Sequence, residues 1–285
     1  MKILAIGDFH GKFPRKYLDL IKREKIDLVV SNGDYPTFSL KKEFFEYVYG
    51  KEYLDLWNFI GKKNYKKKMS TDFENGKRVI KTLNKLTIPV LTVLGNHDYP
   101  NAYDVMDIKR PKGKRFWKWD WKRGFYIKKV LERCKNIKII DYAYFRFRGF
   151  IFIGMSGGSF PGHVKSKAYK KHRKILERLF KRFNEENKQR KVIFVSHNSP
   201  YKTKLDLITS REAHKIAKGK HYGSKLIRRI INKYQPVLSL SGHIEEGMGK
   251  QKIGKTLAVN VGSVHHGNGT IIEIIGSNIK VRFIK

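Results

Sequence analysis

Three scarcities limit the kind of protein that this sequence encodes. The chain has one cysteine, Cys134, so no internal disulfide can form and a reducing compartment is expected. No run of residues approaches the roughly 20 apolar positions that a membrane-spanning helix needs. The opening residues Met1–Ile6 indicate a strand and lack the cationic and apolar segments of a signal peptide. We therefore expect a soluble, cytoplasmic protein that does not act at a membrane.

Acidic residues are also scarce. The 285 residues include 62 Lys and Arg but only 25 Asp and Glu, so the formal net charge is +37. A surface of mixed ion pairs would hold the two signs in closer balance. The excess of cations favours an anionic partner, with nucleic acid as the first candidate, and a solvated basic surface without a specific partner is the alternative. Net charge bears on association and does not identify the chemistry.

The order of elements predicts a mixed α/β fold. The first third alternates strands at Lys2–Ile6, Asp27–Ser31 and Val90–Leu94 with helices at about Arg15–Lys25 and Phe73–Leu86, which is βαβ organisation. The second half is richer in strands and contains one long basic helix. Its predicted elements are Ile137–Asp141, Tyr144–Arg148, Phe150–Gly154, helix Lys170–Lys188, Val192–Val195, Val237–Leu240, Thr256–Val261, Thr270–Ile275 and Ile279–Ile284.

We expect one domain over residues 1–285, because no internal repeat and no Pro/Ser-rich linker divides the chain. Two basic, aromatic insertions interrupt it at about residues 40–69 and 99–124. The second insertion alternates Trp117, Trp119 and Trp121 with charged residues. This pattern fits a half-buried strand whose tryptophans pack on the domain, or a surface on which nucleic-acid bases stack, and the first interpretation is favoured.

Five polar motifs follow the apolar runs that read as buried strands. Because strand ends at one edge of a sheet lie close in space, side chains distant in sequence can converge there. Carboxylate, amide and imidazole groups are ligands of divalent metals such as Mn, Fe, Zn or Ni. The motifs are Asp8-Phe9-His10, Gly33-Asp34, Gly95-Asn96-His97-Asp98, Ser196-His197-Asn198 and Gly242-His243-Ile244-Glu245.

Each motif taken alone has an ordinary structural explanation. Asp8, Asp34 and Asn96 could cap helices or shape turns, and a single histidine at a sheet end is usually hydrogen-bonded and inert. Their joint occurrence, each after a strand and beside a small residue, favours a metal site. A divalent pair at such a site would clamp a phosphate ester between its attacking and leaving oxygens.

One further motif, Gly249–Thr256, satisfies the phosphate-binding P-loop pattern letter for letter. That loop requires a helix after it, whose N-terminus cradles phosphate. Here the following residues, Leu257–Val261, indicate a strand. We therefore interpret the segment as a Gly/Lys-rich hairpin and not as a nucleotide site.

The order of the five motifs resembles that of the calcineurin-like metallophosphoesterase superfamily. The resemblance extends from Asp8 to Asn260-Val261-Gly262-Ser263 and so covers nearly the whole chain. Ser196–Pro200, Gly219–Ser224 and Tyr234–Pro236 are closest to archaeal-type members. The resemblance implies a four-layer αββα sandwich with a dinuclear metal site at the top edge of its two sheets.

The resemblance also implies roles for individual residues. Asp8 and His10 would bind the first metal, Asp34 would bridge, and Asn96, His197 and His243 would bind the second. His97 would contact the phosphoryl oxygens and help the leaving group depart, with Asp98 orienting it. A hydroxide between the metals would attack phosphorus in line. In the same comparison His221 would lie near the active face and contact substrate.

Glu245 departs from the family pattern. The pattern is Gly-His-x-His, and the second His completes the shell of the first metal, whereas this chain has Glu245 there. A glutamate that ligates would favour harder ions such as Mn or Mg. The alternative is that its side chain misses the metal and leaves the first site weak. We favour retained but altered ligation, with Mn ahead of Fe, Ni, Zn and Mg.

The sequence thus predicts a metal-dependent phosphoesterase, acting on phosphodiesters in preference to monoesters. The alternative is a nucleic-acid-binding protein on a phosphoesterase scaffold whose first metal site is weakened. Activity on acidic phosphopeptides is a weaker third hypothesis, because no motif specifies a peptide groove. The physiological substrate and the oligomeric state do not follow from the sequence.

Overall fold

Strands of the chain assemble into two six-stranded sheets. The computed structural model describes residues 1–49, 55–98, 117–157, 164–210 and 213–285. One sheet contains β1 (Lys2–Ile6), β2 (Leu28–Ser31), β3 (Val90–Thr92), β4 (Ile137–Ile139), β11 (Gly269–Ile275) and β12 (Asn278–Ile284). The other contains β5 (Tyr144–Phe147), β6 (Phe150–Met155), β7 (Val192–Ser196), β8 (Leu238–Ser241), β9 (Gly249–Ile253) and β10 (Thr256–Asn260).

Parallel strands occupy the centre of both sheets. The first sheet has the order β12-β11-β1-β2-β3-β4, with β1 through β4 parallel, and the second has the order β5-β6-β7-β8-β10-β9, with β6, β7, β8 and β10 parallel. The antiparallel strands β11 and β12 lie at one side of the first sheet, whose other edge is the parallel strand β4, and the antiparallel strands β5 and β9 form the two edges of the second. The carboxyl ends of the central strands of each sheet therefore share one edge, which is where ligands bind in α/β folds.

Helices flank the two sheets and form part of the first insertion. They are α1 (Lys16–Arg23), α2 (Lys41–Tyr47), α3 (Trp57–Ile60), α4 (Lys62–Asn84), α5 (Lys118–Arg123), α6 (Tyr126–Glu132), α7 (Lys167–Arg182), α8 (Asn184–Lys188) and α9 (Lys225–Tyr234). Short 3₁₀ turns occur at Glu245–Gly247 and Val264–His266. Within the described ranges, none of the helices combines the length and apolar character required to cross a bilayer.

Alternation along the strands creates three apolar layers. Ile3 and Ala5 of β1 point into the space between the sheets, where they meet Phe152 and Val195 of the second sheet. Leu4 and Ile6 of β1 point the other way, onto α1, α4 and α6. The far face of the second sheet packs on α7 and α9 in the same manner. This is the four-layer αββα sandwich that the sequence predicts, and the fold prediction is confirmed.

Two predicted helices have different limits in the structure. α4 begins at Lys62 and not near Phe73, because Tyr65, Met69 and Phe73 continue one apolar stripe at a spacing of four residues. The predicted helix Lys170–Lys188 is divided into α7 and α8 at Phe183. That residue leaves helical geometry and buries its ring against Tyr144.

The strand predicted around the tryptophans is wrong. Residues 118–123 form α5, in which Arg123 pairs with Asp120 three positions earlier at 2.6 Å, a spacing that a helix provides. Trp117 and Trp119 still pack on the protein, against Tyr65 of α4. Residues 99–116 of this insertion and residues 50–54 of the first lie outside the described residues.

The P-loop-like segment is a hairpin, as predicted. β9 and β10 pair antiparallel around Gly254, whose φ of +59° forms the tight turn. β10 follows the motif directly, so the helix N-terminus that a P-loop requires is replaced by a strand.

Candidate metal centre

The five polar motifs lie together at the edge formed by the carboxyl ends of the parallel strands. Asp8 follows β1, Asp34 follows β2 and Asn96 follows β3, all in the first sheet. His197 follows β7 and His243 follows β8 in the second sheet. Because the two sheets pack face to face, the strand ends of both contribute to one cleft.

Among the described residues, three groups of side chains are spaced as metal ligands. In each group the candidate ligand atoms lie within 4.8 Å of one another: Asp8, His10 and Glu245; His10, Asp34 and His97; and Asp34, His197 and His243. Asp34 and His10 each belong to two groups, so the three are joined into one continuous cluster. The structure thus brings together the side chains that the sequence singled out for this edge.

The backbone is in an unusual conformation at four of these residues. Asp8, His10, Asp34 and His243 have φ values of +50°, +43°, +59° and +69°. The left-handed region costs an ordinary residue about 1–2 kcal/mol, and such outliers cluster at functional sites. Sharp turns at the strand ends are what aim these side chains into the cleft.

Close approach of two loops places Asp34. A Cβ atom at Gly95 would lie 2.1 Å from Asp34 Oδ1, so only glycine leaves room for that carboxylate. Gly33 has a φ of +88°, and a Cβ there would lie 2.4 Å from the Gly95 nitrogen. The glycines of the Gly-Asp and Gly-Asn-His-Asp motifs therefore allow the β2 and β3 loops to touch at the Asp34 carboxylate.

The environment of His197 fits a cation. Its Nδ1 lies 2.7 Å from the Asn32 carbonyl oxygen, so Nδ1 donates, and in the neutral ring Nε2 presents a lone pair. Asn96 Oδ1 lies 2.7 Å from Nε2, and His243 Nδ1 lies 3.2 Å from it. Asp34 Oδ2 is 3.5 Å away. Four lone-pair atoms converging within a buried space are the donor set of a transition metal.

Glu245 reaches the first group of ligands. Its Oε1 lies 2.9 Å from His10 Nε2, and its Oε2 lies 2.8 Å from His266 Nε2. Asp8 completes the group and accepts a backbone hydrogen bond from the His243 nitrogen at 3.0 Å. Glu245 stands where the family pattern has histidine, and its carboxylate belongs to the candidate group of Asp8 and His10. The Nδ1 atom of His10 is buried and has no hydrogen-bond partner among the residues that the structure describes.

Burial and neighbouring histidines shift the pKa values of the cleft carboxylates in different directions. Burial raises the pKa of Asp8 well above its ordinary value, and the charges of Asp34 and Glu245 raise it further. For Glu245, burial opposes ionisation, but hydrogen bonds from His10 and His266 lower its pKa to about 2. The pKa of Asp34 is also lowered to about 2, because His197, His97 and His10 outweigh burial.

Histidines of the cleft divide into neutral and charged ones. Burial lowers the pKa of His97 to about 4 and that of His243 to about 3, so both are neutral at pH 7. Burial acts in the same direction on His10, but the hydrogen bond to Glu245 and the charges of Asp34 and Asp8 raise its pKa to about 9. A neutral imidazole is the form that ligates metal, so His243 is already in that form.

Asp98 binds the backbone of the cleft. Its Oδ2 accepts from the Asp34 and Gly95 nitrogens at 2.8 and 2.7 Å, and its Oδ1 accepts from the Tyr35 nitrogen at 2.9 Å. Burial raises the pKa of Asp98 to about 7, with the charge of Asp34 adding to the rise and these three donors opposing it. Asp98 therefore joins the β2 and β3 loops. It influences the position of the His97 ring by fixing the backbone of the loop that carries both residues.

His221 lies apart from the three ligand groups. Its Nδ1 contacts Asp206 Oδ1 at 2.9 Å, and Asp206 is fully buried. Its contact with substrate stays a prediction. The sequence did not single out His265 and His266, which follow the Gly262-Ser263 motif. The His265 ring lies 5.7 Å from that of His10. Two adjacent histidines shortly after the Gly262-Ser263 motif are the sequence feature that indicates their place near the cleft.

Two of the solved structures that resemble this chain share its fold. One crystal structure superimposes with a TM-score of 0.65 at 19% identity, covering 100% of this chain and 99% of the other. The crystal structure of TT1561 of Thermus thermophilus gives a TM-score of 0.54 at 14% identity, covering 99% and 97%. A structure described as a novel archaeal phosphodiesterase gives 0.41 at 13% identity, covering 99% of each chain. No curated protein matches the sequence.

The sequence also matches a family as a whole. The model of the family described as calcineurin-like phosphoesterase matches residues 1–245, which include every motif of the cleft. The first two structural matches are too distant in sequence to show more than a shared fold. The family match carries the assignment: this chain belongs to the calcineurin-like phosphoesterases, a family of metal-dependent enzymes that act on phosphate esters.

Proposed function

We propose that this protein is a dinuclear metal-dependent phosphodiesterase. The observation that carries the proposal is the position of Asp34, whose carboxylate belongs to a ligand group on each side of it. We include all of residues 1–285 in one catalytic domain. β11, which follows the family match, pairs with β1 and so completes the sheet that carries Asp8.

Ligands are assigned from the candidate groups, which are linked to one another through His10 and Asp34. Asp8, His10 and Glu245 would hold the first metal. Asn96, His197 and His243 would hold the second, with Asp34 between the two. The mixed oxygen and nitrogen donors suit Mn, and the carboxylate of Glu245 adds a harder ligand than imidazole.

Bound divalent metals supply Lewis-acid activation of the phosphoryl group and of the attacking water. The side chains contribute the remaining steps. His97 is neutral and can donate an N–H hydrogen bond to a phosphoryl or leaving-group oxygen. Asp98 acts as a positioning residue, because it holds the backbone nitrogens of Asp34 and Gly95.

Diesters are preferred over monoesters on grounds of charge. A phosphodiester in a chain is flanked by further phosphates, and the high net positive charge of the protein attracts each of them. A small monoester presents its charge at the metals alone. The +37 formal charge therefore favours an extended anionic substrate.

Hydrolysis of bis-p-nitrophenyl phosphate after metal removal tests this function. The protein is stripped with a chelator, and Mn, Ni, Zn, Fe or Mg is restored singly. We expect no turnover without metal and the fastest turnover with Mn. We expect p-nitrophenyl phosphate, a monoester, to be hydrolysed more slowly in the same series. A wild type that is silent with every metal would contradict the proposal and favour a binding protein on this scaffold.

A further inference from the structure

A row of aromatic side chains begins at the metal centre. The Phe38 ring lies 4.6 Å from the His97 ring, centroid to centroid, and Phe44 of α2 lies 5.7 Å from Phe38. Phe45 and Tyr49 extend the row, with centroids 5.0 Å apart. Phe38 and Phe44 pack on one side against the cluster of Leu40, Trp57 and Tyr65, and each of the four rings keeps part of its surface exposed. We call Phe38, Phe44, Phe45 and Tyr49 the aromatic row.

The row crosses to the loop on the opposite side of the cleft. Tyr49 Oη donates to Tyr222 Oη at 3.1 Å, and Phe45 stacks on His214 at 5.9 Å. Tyr222 accepts a hydrogen bond at its carbonyl from Asn198, the residue after His197. The first aromatic insertion thus approaches the second sheet beside a metal ligand.

A basic groove continues from this loop. His221, the neighbour of Tyr222, lies 6.2 Å from the Tyr201 ring. Tyr201 forms one wall of a groove of about 450 Å³ that runs along α9. The other residues that line the basic groove are Lys225, Arg228, Arg229, Asn232 and Lys233.

Few acidic groups neutralise the basic groove. Lys233 contacts Glu177 at 3.3 Å, whereas Lys225 Nζ lies over the Tyr201 ring at 5.4 Å. Arg228 donates to the Asn232 side chain. Over the part of the chain that the structure describes, Lys225, Arg228 and Arg229 have no ion pair with a carboxylate. Their charge is available to an anion.

From these contacts we infer that the aromatic row and the basic groove bind single-stranded nucleic acid, whose backbone supplies the phosphodiester at the metal centre. The inference rests on the proposed function and names its substrate class. Bases stack on the exposed rings, and backbone phosphates contact the cations of the groove. A series of contacts joins the aromatic row to the basic groove. It touches the metal centre at His97 and passes Asn198, so a bound strand could contact both surfaces and the metal centre.

Aromatic rings distinguish this ligand from other polyanions. An acidic peptide would use the cations but gains little from a row of four partly exposed rings, whereas every base presents a face for stacking. A duplex keeps its bases paired and stacked internally, so the rings would favour a single strand. DNA and RNA share this chemistry and are separate arms of the experiment.

Fluorescence anisotropy with labelled oligothymidylate and oligouridylate tests the inference in the presence of a chelator, so that binding is measured apart from hydrolysis. The groove variant Arg228→Glu/Arg229→Glu is compared with Lys22→Glu/Lys25→Glu, an equal charge change on exposed residues at the end of α1. The logarithm of the binding constant falls linearly with the logarithm of the salt concentration, and each lost phosphate contact makes this slope shallower by about 0.7 for a single strand. We expect the groove variant to bind at least about 25-fold more weakly at 0.1 M salt, with a slope about 1.4 units shallower.

The aromatic arm uses Phe45→Ala, for which we expect affinity to fall about fivefold or more with an unchanged salt slope. Circular dichroism confirms that each variant folds. Absent binding by wild type, equal weakening in both charge variants, or competition by polyglutamate as strong as by oligonucleotide would each overturn the inference. Hydrolysis of bis-p-nitrophenyl phosphate by wild type, measured separately, shows whether the proposed function stands or fails on its own.

Discussion

Replacement of Asp34 by asparagine is expected to lower kcat for bis-p-nitrophenyl phosphate about a thousandfold or more. Asp34 shares one candidate group with His10, a proposed ligand of the first metal, and another with His197 and His243, proposed ligands of the second. Its substitution is therefore expected to affect both metal positions at once. Asparagine keeps one carbonyl oxygen. That oxygen can still accept the hydrogen bond that the backbone N–H of His97 donates to Asp34 Oδ1 at 2.8 Å. It loses the negative charge and replaces the second oxygen with an NH₂ group, so it cannot bridge two cations.

A matched control lies at the other end of the same strand. Asp27 precedes β2, accepts from the Lys2 nitrogen at 2.7 Å and pairs with Arg148 at 2.8 Å. Asp27→Asn makes the same chemical change away from the cleft, and we expect it to leave kcat unchanged. If Asp34→Asn hydrolyses the diester at the wild-type rate while remaining folded, the bridging role is wrong.

Removal of the Glu245 carboxylate is expected to weaken one metal position and spare the other. In Glu245→Ala, calorimetric titration of the stripped protein with Mn should show one ion binding more than about a hundredfold less tightly. The group of Asp34, His197 and His243 does not contain Glu245, so the other ion should bind as in wild type. Loss of a residue that only supports a ligand by a hydrogen bond lowers metal affinity about 10- to 100-fold, and loss of the ligand itself is expected to lower it more.

His266 provides the graded control for this prediction. It contacts Glu245 Oε2, whereas Oε1 faces His10, so His266→Ala leaves the carboxylate in place and removes only its support. We expect a smaller loss of affinity at the same position. Glu245→His restores the family pattern and should shift metal preference toward Zn while turnover continues. If Glu245→Ala binds both ions as wild type does, Glu245 is not a ligand.

The sequence predicts the sheets and the edge at which the site forms because both depend on local patterns. Apolar runs of four to six residues mark the strands, and each motif follows one directly. Glycines beside Asp34 and Asn96 could be recognised in the same way, because their loops make sharp turns. These features need no knowledge of which residues meet across the fold.

Contacts between distant segments could not be predicted in this way. Glu245 and His10 are 235 positions apart, and no periodicity shows that the Glu245 carboxylate lies between His10 and His266. The tryptophan run has the alternation of a strand, yet it forms a helix in the structure. There Trp117 packs against Trp57 and Tyr65, and Arg123 pairs with Asp120. Tertiary packing overrode the local pattern there.

Anomalous diffraction at the manganese edge, from crystals grown with Mn, tests the central claim most directly. We predict two peaks about 3.5–4 Å apart with Asp34 between them, as in other two-metal phosphoesterase sites. Asp8, His10 and Glu245 should surround one peak, and Asn96, His197 and His243 the other. A single peak, or ions bound away from Asp34, would contradict the dinuclear account.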